Sequence, residues 1–120
     1  MMSHKNLLFV LLLTSTHSLL YSYAMSIKNE SPHAIKITMI YAGGSIICPN
    51  VELEIKSGET RNIESGACCA SSVTMLGLEG VIKGKSFTYS PPVTGFGISC
   101  RSFSVVIKET ADGKLIGMTV

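Results

Sequence analysis

Between residues 34 and 42 apolar and polar side chains take turns. Ile35, Ile37, Met39 and Tyr41 fall on one face of an extended chain, and Lys36 and Thr38 fall on the other. A period of two marks a strand with one face buried and one in water. Residues 51–56 repeat the pattern most cleanly, with Val51, Leu53 and Ile55 inward and Glu52, Glu54 and Lys56 outward. The longest run, residues 98–109, sets Phe103, Val105 and Ile107 against Ser102, Ser104 and Val106. Shorter runs predict strands over residues 25–29, 45–48, 60–64, 72–78, 85–90 and 115–120, with Val81 and Ile82 extending one of them past a kink. Turn residues separate them: Gly43-Gly44, Pro49-Asn50, Ser57-Gly58, Glu79-Gly80 and Asp112-Gly113. Pro91 and Pro92 cannot join a ladder, so residues 91–97 are a loop. Residues 25–120 nowhere sustain a helical period. Many short strands with regular turns predict an all-β fold: a small, disulfide-stabilised antiparallel β-sandwich, with a β-barrel as the alternative.

The first residues follow another pattern. Leu7 to Leu13 are seven apolar residues in a row, preceded by His4 and Lys5 and followed by a polar stretch that ends on Ser22, Tyr23 and Ala24. A positive start, an apolar middle and small residues flanking a cut describe a secretory signal peptide. A spanning helix needs ~20 apolar residues, and Thr14, Ser15, Thr16, His17 and Ser18 break this one. The expected division is residues 1–24 as leader and residues 25–120 as one domain. The destination is extracellular, or periplasmic in a bacterium.

Export changes the reading of the four cysteines, Cys48, Cys68, Cys69 and Cys100. An even number in a small exported chain is a disulfide framework. A Cys68–Cys69 bridge needs a strained ring, because adjacent Cα atoms are only ~3.8 Å apart. The favoured pairings therefore give each of Cys68 and Cys69 one partner from Cys48 and Cys100. Successive side chains on extended backbone point opposite ways, so the pair can serve two partners on two sides. Zinc sites space their cysteines differently, so no metal and no cofactor is expected.

Composition removes other functions. Of the ten Lys and Arg in the chain, Lys5 leaves with the leader, and nine remain against eight Asp and Glu. Neither a basic nor an acidic run is present, so the footprint of a nucleic-acid binder is missing. After the leader the chain has one histidine, His33, and one aspartate, Asp112, poor material for a serine triad. Glu52 and Glu54 share a strand face ~6.8 Å apart along the chain, which overlaps the spacing of glycosidase acid–base pairs. Alternating glutamates are also how an edge strand stays soluble. Asn29-Glu30-Ser31 fits the glycosylation acceptor pattern, with Pro32 directly after it.

The succession strand, Asn, Ser, strand and the later Lys56-Ser57-Gly58-Glu59-Thr60 turn, within residues 27–63, resemble the opening of thaumatin-like proteins and aegerolysins. The resemblance implies a secreted β-sandwich and transfers no functional residue. The cysteine count is far below that of thaumatin-like proteins.

The expected function is a non-enzymatic exported module binding a protein, glycan or surface. Recognition is expected on the proline loop, through Tyr89, Pro91, Pro92, Phe96 and Arg101, because loops on a rigid scaffold carry recognition. No contact with a membrane is expected once the leader is gone. The alternatives are a small glycan hydrolase using Glu52 and Glu54 and a membrane-active β-sandwich. Intact mass of the protein from its native compartment checks the premise. It should match a chain starting at Met25 and lie two hydrogens per bridge below the reduced form.

Overall fold

The alternating runs become strands because each has one apolar row that water excludes. In the computed structural model, residues 22–94 and 98–120 are described. Eight strands follow in order: β1 Tyr23–Asn29, β2 Ile35–Tyr41, β3 Val51–Ile55, β4 Thr60–Gly66, β5 Ala70–Gly77, β6 Ser86–Tyr89, β7 Phe103–Glu109 and β8 Leu115–Thr119. They form two four-stranded sheets, β4-β1-β7-β8 and β3-β2-β5-β6, packed face to face. The fold is a sandwich; the sheets do not close into a barrel. Every pairing is antiparallel except β1 with β7, which run parallel from Met25↔Phe103 to Asn29↔Ile107.

The core lies between the inward rows. Met25, Ile27, Ile63, Phe103, Val105, Ile107 and Leu115 from one sheet meet Ile35, Ile37, Met39, Tyr41, Ile55, Val73 and Met75 from the other. Val51 and Leu53 are only half-buried, because β3 is an edge strand. On the opposite edges the sheets touch. The Tyr89 ring of β6 lies over Gly117 of β8, where an added Cβ would stand 2.8 Å from the ring. The Tyr89 hydroxyl bonds the Thr119 hydroxyl.

Several expected strands change. Residues 45–48 form a turn, in which the Cys48 amide donates to Gly44 O over 3.0 Å. The strand returning from β2 is β3 instead, after a connection spanning residues 42–50. Gly43 and Gly44 have φ of 94° and 84°, a region open to glycine at little steric cost. Gly80–Ile82 is a 3-10 turn rather than more strand. It packs against Gly77, whose missing side chain leaves room for the Ile82 carbonyl. β1 starts at Tyr23, two residues inside the expected leader. Tyr23 and Ala24 pair only with β4, across a register irregularity, whereas the ladder to β7 begins at Met25. β7 starts at Phe103; of the residues before it, Ile98 and Ser99 make only an isolated bridge, Ser99 opposite Ala70.

At one end Asn29 is a fully buried polar knot. Its side-chain amide donates to His33 O (2.8 Å) and Ile55 O (3.0 Å), and its Oδ1 accepts from the Ser31 amide. Its backbone bonds Gly58 and Glu59 in the β3–β4 turn. One side chain therefore joins the β1–β2 crossing to the turn that carries the chain between sheets. The nitrogen a glycan would need is already committed in the fold. Nearby, the Thr110 hydroxyl donates to Asp112 and, with the local backbone amide and Lys114, holds that carboxyl below its usual range. Replacing Asn29 by Ala strands several buried groups at once. Asn29→Ala is expected to lower stability by about 2–4 kcal/mol, read as a lower urea midpoint with an unchanged slope.

Candidate functional site

β2, β4, β6 and β8 run toward one end of the sandwich, and β1, β3, β5 and β7 run away from it. Three connections meet there: residues 42–50, residues 67–69 and residues 90–102. Two disulfides tie them, Cys48–Cys68 and Cys69–Cys100, so all four cysteines are bridged. This selects one of the two pairings the sequence left open. Cys68 and Cys69 form the corner between β4 and β5. Their neighbours anchor the corner too: the Ala42 amide donates to Cys69 O, and Ala70 and Ser99 exchange both backbone bonds. Thr94 caps the third connection, its amide donating to Ile98 O and its hydroxyl accepting from the Cys100 amide. Beneath the corner the Tyr41 and Ser65 hydroxyls bond each other from opposite sheets.

This end shows several large apolar side chains to water among small polar ones. Ile46 is 96% exposed and Ile47 77%, at the tip of the stapled 42–50 connection. Val93 is 65% exposed on the neighbouring one. Charge is nearly absent: among the described residues of the three connections, Arg101 alone is charged. The connections at the far end differ. They hold Glu30, Lys56, Glu59, Glu79, Lys83, Lys85, Asp112 and Lys114.

The residues expected to bind are distributed unevenly. Arg101 is exposed at this end. Pro91 is buried and Pro92 half-buried. Tyr89 is half-buried and spends its ring and hydroxyl joining the two sheets. Phe96 lies outside the described residues. The sequence pattern places Ile46 and Ile47 in a strand; the structure places them in a turn that ends on the bridged Cys48.

Glu52 and Glu54 stand on the exposed outer face of β3. Glu52 reaches Lys36 of β2 at 3.5 Å, an exposed ion pair. A shallow cavity of about 310 Å³ lies on the other sheet, lined by residues including Ser26, Asn62, Ser104 and Val120. His33 Nδ1 sits 3.2 Å from Glu109 Oε1, at the charged end. Asp112 engages Thr110 and Lys114 instead, so the two do not form a relay.

No family model and no curated protein matches the chain. A solved NMR structure of a protein from Eubacterium rectale is similar, with a TM-score of 0.56 at 12% identity, covering 82% of this chain and 88% of that one. The likeness is one of fold.

The bridge at Cys48 closes a span of 20 residues and holds the isoleucine tip in place. Changing Cys48 and Cys68 together to Ser is expected to cost about 3 kcal/mol. It should also open residues 42–50 to limited proteolysis while leaving β5 and β7 protected, as peptide mapping would show.

Proposed function

We infer that this protein is a non-enzymatic exported binding module whose contact surface is the disulfide-stapled end of the sandwich. The observation that carries the reading is the pair Ile46 and Ile47, held almost fully in water on a connection that a covalent bridge fixes. Exposed aliphatic side chains are common singly. Two in succession, on a stapled and uncharged tip, are an apolar contact already in position. Ordering costs are small for a segment so constrained, and rigid contacts bind better for that reason. Two disulfides fit an oxidising destination, in keeping with an extracellular protein. Among the described residues no helix is long and apolar enough to cross a membrane.

The glycan-hydrolase alternative has less support. Glycosidase carboxylates flank a bound sugar, whereas Glu52 and Glu54 sit on an exposed edge strand with Lys36 beside Glu52. Their arrangement suits a solvated edge that resists pairing with other chains.

The test immobilises the oxidised protein and exposes it to the fluid and cell surfaces of its native compartment. Replacing Ile46 and Ile47 together by Ser is expected to reduce retention of the bound material about tenfold or more. Replacing Glu52 and Glu54 together by Ala should leave retention unchanged. Equal retention by the isoleucine variant would place the contact elsewhere and overturn the reading.

A further inference from the structure

Resting on that reading, we propose that the stapled end docks on a lipid bilayer, with Ile46, Ile47 and Val93 entering the interfacial layer. Two observations converge. First, the exposed residues are aliphatic and stand on two tied connections, Ile46 at 96%, Ile47 at 77% and Val93 at 65% exposure. Protein contacts favour aromatic and arginine anchors set in pockets, with Leu and Val under-represented. Shallow burial in acyl chains needs only apolar area. Second, the charge distribution is polarised along the strands. Moving a charge toward hydrocarbon is costly, and this end spares the protein that cost. The far end carries eight charged residues on its connections, and this one carries Arg101. Arg101 is exposed, positive and long enough to keep its guanidinium among lipid phosphates while its stem lies lower.

The expectation of no membrane contact rests on a pattern in which Ile46 and Ile47 belong to a strand; the structure holds both in water. The contact is a peripheral one. It needs no spanning strand or helix, and its strength scales with the apolar area inserted. Since few charges contribute, binding should depend little on salt, unlike attachment through a basic patch.

The experiment uses the protein recovered from its native compartment, oxidised and labelled at isoleucine δ1 methyls. It is mixed with vesicles of phosphatidylcholine containing some phosphatidylglycerol and a spin-labelled lipid. The expected result is selective broadening of the Ile46 and Ile47 methyl signals, with Ile116 on the outer sheet face unaffected. Cosedimentation should fall about tenfold or more when both Ile46 and Ile47 are changed to Ser. Both positions are exposed, so the variant folds. The methyl readout is residue-specific and therefore independent of any retained leader. Unbroadened Ile46 and Ile47 signals, or equal sedimentation of the variant, overturn the proposal. If vesicles fail while retention on native surfaces still depends on Ile46 and Ile47, the partner is a protein or glycan and only the lipid assignment falls. If both fail, the binding reading falls with it.

Discussion

Cys68 and Cys69 are neighbours, and adjacent side chains on extended backbone leave in opposite directions. Neither can take the other's partner without turning the corner between β4 and β5 inside out. The bridges to Cys48 and Cys100 therefore fix three connections to one short piece of backbone. A core one side chain deep from each sheet, with no tryptophan, has little surplus burial to hold such connections by packing. Covalent ties do it instead, by limiting what the unfolded chain can explore. The 42–50 connection can then leave the ladder, turn on two glycines and hold isoleucines in water without collapsing onto the sheet.

The two ends solve the same problem by different chemistry. At the far end, a buried asparagine satisfies backbone groups that the crossing and the turn leave open. Around it the connections are polar and charged, as solvated turns are. At the stapled end backbone and side-chain hydrogen bonds are joined by two covalent ties. Side chains there are free to be apolar because their positions do not depend on burial. A molecule built this way has an axis, with many charges on the connections at one pole and few at the other. That asymmetry is the physical basis of the proposal that recognition lies at one pole.

Strands β2, β3 and β7 were legible because their inward and outward residues differ in kind. Ile35 to Tyr41 and Phe103 to Ile107 take the faces their spacing demands. Ile46-Ile47-Cys48 misled for a reason of the same sort. Apolar residues beside a double glycine look like the return of a hairpin, and nothing local says that a cysteine twenty residues later will draw them away. Tyr89 shows the converse. It sits beside a proline loop and reads as a binding residue, yet Gly117, twenty-eight residues on, leaves a hollow that takes its ring. Asn29 looks like a sequon and is a buried anchor, because its partners His33 and Ile55 come from two other segments.

The order of residues by itself determined that the chain forms short strands, which face of each is buried, and that adjacent cysteines must have separate partners. These follow from a two-residue repeat and from the length of one peptide unit, both local. The parallel placement of β1 beside β7, the choice of Cys48 for Cys68, and the exposure of Ile46 and Ile47 were decided only by the packed structure. Each depends on which distant segments arrive at the same place, and that is settled when two sheets bury their apolar faces against each other.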